Sequence, residues 1–260
     1  MKHLSILTIA LMVTVFAHAQ RGEAEKALQE KYMQQYGQQG MDQLKKMMEA
    51  EMKPEYKFPI YVQMHIVDYD GSKKKESDVK FHLNASEKTF AYSGNDMNNG
   101  KAATVIMDEK NGTMVMLDDS KKTAMAINLN AFGMGNMNKM GKHTVDKEAY
   151  ENVKCSKASG TKTVAGYSCQ KYECVDKEKG TRGDIWVTDK APMTMLGKVG
   201  EMSPWSMYLT NLGGMSGTML AGKFYKDDKA DSEFEVTELK QNSTHSIKTS
   251  GYKKMDMMGR

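Results

Sequence analysis

Apolar and polar residues alternate along much of the chain, with turn residues between the alternating runs. Ile60, Val62, Met64 and Ile66 alternate with Tyr61, Gln63 and His65, and Asp70-Gly71 follows them as a turn. The other runs that predict strands are 79–83, 89–93, 104–108, 113–117, 123–127, 152–158, 168–175, 182–188, 218–225 and 232–239. A period of two is typical of half-buried strands, so the sequence predicts an extensive antiparallel sheet.

The run 113–117 differs from the others because both of its faces are apolar. Met114 and Met116 point to one side, and Val115 and Leu117 point to the other. A strand of this kind is covered on both faces. We expect the second cover to be a helix layer, a second sheet or a bound apolar ligand.

Two segments have a helical rather than an alternating pattern. Residues 23–52 lack proline and carry apolar stripes at helical spacing, with Gly37 and Gly40 as a joint between two helices. Lys53-Pro54 ends this segment. A second helical insert is predicted at about 192–212, and a Met/Gly-rich loop at 132–141.

The N-terminus predicts export. Lys2 precedes an apolar run from Leu4 to Phe16, and Ala17-His18-Ala19 supplies a small-x-small cleavage site. We therefore expect a cleavable signal peptide at 1–19, cleavage after Ala19, and a periplasmic or secreted product. No later run approaches the ~18 apolar residues of a membrane helix, so no transmembrane segment is expected.

Charge and motifs narrow the function classes. The formal net charge is +4 with no long basic stripe, which disfavours nucleic acid as a partner. The sequence has no Gly-x-Ser-x-Gly, no His-x-x-x-His and no Gly-x-x-x-x-Gly-Lys. No catalytic residue can be assigned, and the chain is not expected to be an enzyme.

Three cysteines in an exported chain predict one disulfide and one remaining thiol. Cys169 and Cys174 lie in one predicted strand, roughly 16 Å apart, whereas a disulfide needs Cα atoms within about 7 Å. We expect Cys155 to pair with Cys169 or with Cys174. Three buried, reduced thiols are the alternative.

Several motifs resemble a known exported bacterial family. They are 163–172 (TVAGYSCQKY), 184–189 (DIWVTD), 105–108 with 114–117, and 250–255 (SGYKKM). This pattern is similar to the methionine-rich domain of unknown function 4412, which in turn resembles the LolA/LolB-like lipoprotein carriers. The resemblance spans roughly residues 58–257.

The resemblance implies an α+β fold. A strongly curved antiparallel sheet would form a half-open barrel, and the N-terminal and inserted helices would cover its concave face. The implied domains are the signal peptide at 1–19, a helical segment at 20–53 and a carrier-like β domain at 54–260. In the carriers, the covered cavity accepts acyl chains.

Methionine is unusually frequent, at 25 of 260 residues. The thioether is flexible and polarisable and suits packing or an adaptable cavity wall. It also prefers soft ions such as Cu(I) or Ag(I). Met134, Met137 and Met140 form two Met-x-x-Met steps in the predicted loop and are the candidate metal ligands.

Our leading hypothesis is an exported, non-enzymatic binding protein that holds an acyl chain, lipid or lipidated peptide in a methionine-rich cavity without a cofactor. The predicted wall residues are Met107, Met114, Met116, Trp186 and Phe224. The alternatives are a Cu(I)- or Ag(I)-binding protein, with copper as its cofactor, and a structural envelope protein without a ligand. The expected partners are a hydrophobic small molecule or lipid, and proteins of the envelope.

Overall fold

The alternating segments form a single antiparallel sheet. The computed structural model describes residues 50–71, 73–95, 102–132, 153–178, 180–191 and 217–255, besides the single positions Gly37 and Lys46. The strands are β1 (Glu55–Asp70), β2 (Lys73–Asn84), β3 (Thr89–Asn95), β4 (Ala102–Asp108), β5 (Thr113–Asp118), β6 (Thr123–Asn128), β7 (Val153–Val164), β8 (Tyr167–Asp176), β9 (Thr181–Thr188), β10 (Thr218–Lys226), β11 (Lys229–Lys248) and β12 (Lys253–Lys254). A 3-10 turn, Leu129–Phe132, follows β6.

The twelve strands are ordered β12-β6-β5-β4-β3-β2-β1-β11-β10-β9-β8-β7. Neighbours are antiparallel except β12, which runs parallel to β6. Most neighbours are consecutive in the chain and are joined by short turns. The pairing of β1 with β11 is the exception, because it joins two long strands from opposite ends of the described chain. This central pair divides the sheet into two meanders, β1–β6 and β7–β11.

Each predicted strand is present, and several predicted turns are formed by the expected residues. Asp118 terminates β5 by accepting hydrogen bonds at Oδ1 from the Ser120 and Lys121 backbone amides, both at 3.0 Å. Gly112 closes the β4–β5 turn at φ 60°. The positive φ favours glycine, and a Cβ at Gly112 would lie 2.2 Å from Nδ2 of Asn130, so any larger residue would also displace the Asn130 side chain.

The predicted α+β class is wrong. In the described part of the chain, strands make up 74% of residues and helical residues 3%; the sheet is open and no helix covers its face. The predicted N-terminal helices lie outside the described residues except for Gly37, Lys46 and 50–52, and the insert at 192–212 lies wholly outside them. The Met/Gly-rich loop at 132–141 also lies outside them, apart from Phe132.

The cover on one face of β3–β6 comes from the chain itself. We call residues 50–58 the entry segment and residues 245–255 the C-terminal clasp. Both pack against the face of the sheet that carries Val115 and Leu117. The cluster comprises Ala50, Tyr56, Phe58, Ala91, Ile106, Val115, Leu117, Ala124 and Ala126, with Met52, Ile247 and Tyr252 at its margin. A helix is not needed on this face, because these two segments already exclude water from it.

Candidate functional site

The other face of β3–β6 carries the methionines, and strand register aligns its side chains into two rows across the sheet. The first row is Leu239, Val62, Phe81, Tyr92, Val105, Met116 and Met125. The second row is Ile60, Leu83, Phe90, Met107, Met114 and Ile127. Every member of both rows is apolar or aromatic. The first row crosses seven adjacent strands and the second crosses six of them, and together they form a continuous apolar surface.

Burial along these rows is uneven. The flanks are closed: Val62 and Leu83 are buried on one side, and Met125 and Ile127 are 1% and 2% exposed on the other. The side chains in the middle are half-buried, namely Phe90, Tyr92, Val105, Met107 and Met114. We call these five residues the apolar strip. Partly exposed apolar side chains between closed flanks are typical of a surface that receives an apolar ligand.

The aromatic end of the strip is fixed by ring packing. Phe81 stacks on Phe90 with centroids 6.0 Å apart, and Tyr92 is tilted against Phe81 at 5.7 Å. Gly94 gives the Tyr92 ring its space, because a Cβ there would lie 3.1 Å from the Tyr92 hydroxyl and 3.0 Å from Cγ1 of Val79. The other end is methionine, whose flexible side chain adapts to a neighbour. The strip therefore combines a rigid aromatic end with a deformable one.

A carboxylate stands at one margin of the methionine face. Asp118 precedes the β5–β6 turn, two residues after Met116 and on the same face. Burial opposes ionisation of Asp118, but hydrogen bonds from Ser120 and Lys121 and the Lys121 charge outweigh it and lower its pKa. A polar margin beside an apolar strip is the arrangement that an amphipathic ligand requires.

The predicted wall residues fall into two groups. Met107 and Met114 are direct cross-strand partners, and Met116 lies two residues further along β5 on the same face. Phe224 lies on β10, six strands away in the sheet order, where it stacks on Phe234 with centroids 6.1 Å apart. The structure brings the three methionines together and places Phe224 in an aromatic pair that packs against the same buried cluster as Phe90 and Tyr92.

Trp186 faces the opposite side of the sheet from Phe224. It pairs with Ala221, which is three residues before Phe224, so the two side chains project from opposite faces. The Nζ of Lys162 lies 4.2 Å from the Trp186 ring centroid and 2.8 Å from a carboxylate oxygen of Glu235. Trp186 therefore lies beside one charged pair, while it also packs, half-buried, against the buried cluster that includes Ile185 and Ala221.

The cysteines and the metal candidates complete the predicted set. Cys155 and Cys174 are cross-strand partners on β7 and β8 and form a disulfide, with Cα atoms 4.0 Å apart. Cys169 is a buried free thiol whose pKa is raised by burial.

The candidate metal ligands Met134, Met137 and Met140 lie outside the described residues. Among the residues that are described, no group of three or more His, Cys, Asp or Glu side chains could hold a metal ion.

Sequence reasoning missed the aromatic half of the strip. Phe90 and Tyr92 alternate in the predicted strand 89–93, and Val105 alternates with Met107, so period two already placed each pair on one face. What the sequence lacked was the register that sets Phe90 opposite Met107 and Tyr92 opposite Val105. Without that register, nothing joined the two strands into one surface.

The fold and the site together define a protein with an open antiparallel sheet and a half-buried apolar strip. The chain matches the model of a domain of unknown function (DUF4412) over residues 58–203, which is more than half of its length. The protein belongs to this family, as the sequence motifs indicated. No curated protein matches the chain.

Several solved structures are similar to the chain at low identity. An uncharacterized conserved protein from Thermus thermophilus is 8% identical with a TM-score of 0.37, covering 80% of this chain and 90% of that one. MucB in complex with MucA(peri) is 10% identical with a TM-score of 0.38, covering 79% and 56%. A LolA superfamily protein, NE2245 from Nitrosomonas europaea, is 7% identical with a TM-score of 0.28, covering 78% and 93%. The LolA-like group is thus among the matches, but scores this low carry no argument about function.

Proposed function

We propose that the protein is an exported, non-enzymatic binding protein that holds the apolar part of an amphipathic molecule, such as an acyl chain, against the apolar strip. The observation that carries this proposal is the half-buried state of Phe90, Tyr92, Val105, Met107 and Met114 between closed flanks. The predicted signal peptide at 1–19 supports an envelope or extracellular location. In the described part of the chain, no helix is long and apolar enough to cross a membrane.

Burial of apolar surface would drive binding. Each methylene that leaves water for the strip contributes about 0.8 kcal/mol, so ten methylenes contribute roughly 8 kcal/mol. Association itself costs an estimated 4 kcal/mol or more in lost translational and rotational freedom. The number of ligand methylenes that contact the strip therefore sets the binding affinity. An acyl chain meets this requirement better than a compact apolar molecule of few methylenes.

The strip also favours a ligand of variable shape. Met107 and Met114 face each other across β4 and β5, and both are half-buried. Their side chains can change rotamer without moving the strands, whereas Phe90 is held by Phe81. We therefore propose selectivity for apolar length combined with tolerance of chain shape.

The first experiment is native mass spectrometry of the mature protein purified from its own envelope fraction without detergent. A mass excess of a few hundred daltons that extracts as a lipid would support the proposal. An increment of one copper ion would support the soft-metal alternative, which uses Met134, Met137 and Met140. A bare polypeptide mass would favour a structural role without a ligand.

The second experiment locates the site with a fluorescent fatty acid. Met114→Lys places a charge in the strip, and Ile247→Lys places the same charge on the opposite, clasped face; both positions are half-buried. We expect Met114→Lys to weaken binding at least tenfold and Ile247→Lys to leave it within twofold. Equal effects of the two variants, with both folded by circular dichroism, would contradict the placement of the site.

A further inference from the structure

A buried histidine lies apart from the apolar strip, on the clasped face of the sheet. His82 on β2 is 2% exposed, and its Nδ1 is buried without a hydrogen-bond partner among the described residues. Three rings surround it: Phe58 at 5.6 Å, Tyr61 at 5.2 Å and His245 at 4.3 Å between centroids. A buried polar atom without a partner is rare in folded proteins and requires a physical explanation.

His82 and His245 form a parallel stack, with 12° between the ring planes. The metal-binding lone pair of a neutral imidazole lies in its ring plane, so two parallel rings do not direct these lone pairs at one metal ion. A stack of this kind is stable only while the rings do not both carry charge, because two imidazolium cations at this distance repel each other. The arrangement therefore excludes a doubly protonated pair.

The charged groups around the pair do not compensate a proton. On β2 itself the nearest is Lys80, whose charge acts on both histidines. On β3 the residue opposite His82 is Ala91, which is apolar. Burial, followed by the charges of His245 and Lys80, lowers the pKa of His82 to about 3. Burial and Lys80 also lower the pKa of His245.

The residues of β1 and β11 next to the histidine pair also fail to supply a free negative charge. On β1, Tyr61 is the cross-strand partner of His82 and lies under the Lys240 ammonium at 6.0 Å. The carboxylate whose charge acts on the Tyr61 hydroxyl is Glu238 on β11, which is already paired with Lys240 at 2.5 Å. Among the described residues, a proton on either histidine would therefore meet the Lys80 charge, while the Glu238 carboxylate is already neutralised by Lys240.

His245 is the first residue of the C-terminal clasp. Beyond it, the Thr249 amide donates to the Pro54 carbonyl at 2.9 Å, the Tyr252 hydroxyl donates to Asp119, and the Lys254 ammonium donates to the Ala50 carbonyl at 2.7 Å. The clasp is also held by a short backbone ladder at each end: residues 245–248 finish β11 and pair with residues 55–58 of β1, and Lys253-Lys254 pair with β6. The stack on His82 fixes the point where the clasp begins.

We propose that the His82–His245 stack is an acid-sensitive latch that releases the C-terminal clasp when His82 is protonated. The closed clasp keeps the His82 ring buried, whereas in the open clasp this ring reaches water and titrates near its ordinary value of 6.5. The ratio of open to closed clasp therefore rises by up to tenfold for each pH unit below about 6.5. The latch does not depend on the ligand of the apolar strip.

Hydrogen exchange of the full mature chain, read by mass spectrometry as protection factors, tests the latch. Between pH 7 and pH 5 we expect protection of residues 245–255 to fall at least tenfold in the wild type, while protection of β1 and β2 falls less. His82→Phe keeps an aromatic ring and removes the titrating group, so it should hold the clasp closed at pH 5. His245→Phe keeps a ring over His82 but leaves His82 to titrate, so it should still lose clasp protection at pH 5.

The matched control is His65→Phe. His65 is half-buried on β1 and already has carboxylate neighbours, Asp78 at 2.9 Å and Glu76 at 3.5 Å. This variant should lose clasp protection as the wild type does. If His82→Phe fails to fold, His82→Leu removes the same titrating group with a smaller apolar side chain and serves as the second variant. Wild-type protection that persists at pH 5, a loss that persists in a folded His82 variant, or an equal loss throughout the sheet would overturn the proposal.

Discussion

Replacing Lys53 by methionine removes the cation that neutralises a buried carboxylate. Asp108 is 1% exposed at the end of β4, and its Oδ2 lies 3.0 Å from the Lys53 ammonium. Its remaining hydrogen bonds come from Asn111, through the backbone amide at 3.2 Å and the side-chain amide at 2.8 Å. Methionine keeps the length of the side chain, so Lys53→Met isolates the loss of charge.

The expected magnitude follows from the burial of both partners. Breaking a fully buried ion pair by removing one partner costs about 3–5 kcal/mol. The Lys53 side chain is 32% exposed, so water can approach the carboxylate once the ammonium is gone. We therefore expect Lys53→Met to lower the free energy of unfolding by ~2 kcal/mol. Asp108→Asn in the same chain removes the unpaired charge and should recover about half of that loss.

Urea denaturation measures the effect, and Lys110→Met is the control. The Lys110 ammonium lies 3.4 Å from Glu87, but both side chains are about half exposed. An exposed pair contributes little, so Lys110→Met should change the free energy of unfolding by less than ~0.5 kcal/mol. If Lys53→Met costs no more than Lys110→Met, the entry segment is not held by its buried ion pair and the reasoning is refuted.

Three further predictions concern other parts of the sheet. Replacing Cys155 and Cys174 by alanine should lower the free energy of unfolding by about 3 kcal/mol, because the disulfide joins residues 19 apart; an unchanged urea midpoint would contradict this. Gly217 has φ 125°, and a Cβ there would lie 2.8 Å from the Thr188 carbonyl oxygen, so Gly217→Ala should lower the free energy of unfolding by about 2 kcal/mol. Gly71 has φ 62° in open space, so Gly71→Ala should lower it by about 1 kcal/mol. Thermal melts in which Gly71→Ala is the less stable variant would refute this prediction. The pKa of His82 is about 3 in the folded chain and 6.5 when the ring is exposed. As the pH is lowered between those values, the free energy of unfolding of the wild type should therefore fall by up to ~1.4 kcal/mol per pH unit. Urea denaturation at pH 7 and at pH 5 should show a smaller fall in His82→Phe than in the wild type.

The local pattern predicted the strands well, because it depends on side-chain alternation and turn residues alone. The runs at 104–108 and 113–117 became β4 and β5, joined through Gly112, and the run at 60–67 lies within β1. It did not predict that β1 pairs with the last long strand. That pairing joins residues far apart in sequence, and period-two alternation contains no information about which distant strand lies alongside.

In the candidate site, too, alternation predicted which residues of one strand share a face, but not which strands lie side by side. Alternation along β5 placed Met114 and Met116 on one face, but only the cross-strand register showed that Phe90 and Tyr92 continue that surface. Register also separated Trp186 from Phe224, because Trp186 lies opposite Ala221. Side chains on adjacent strands become neighbours through backbone hydrogen bonding, which residue identity does not specify.

The sequence by itself determined that this chain forms β-strands with apolar residues on alternate positions, and that β5 must be covered on both faces. It did not determine what covers them. The expected helix layer is replaced on the clasped face by the entry segment and the C-terminal clasp, and the methionine face keeps a half-buried strip. Hydrophobic burial is non-directional, so a two-sided apolar strand demands a cover without specifying its source. Only the tertiary structure, through the β1–β11 pairing that brings both chain segments to one place, decided which face was closed.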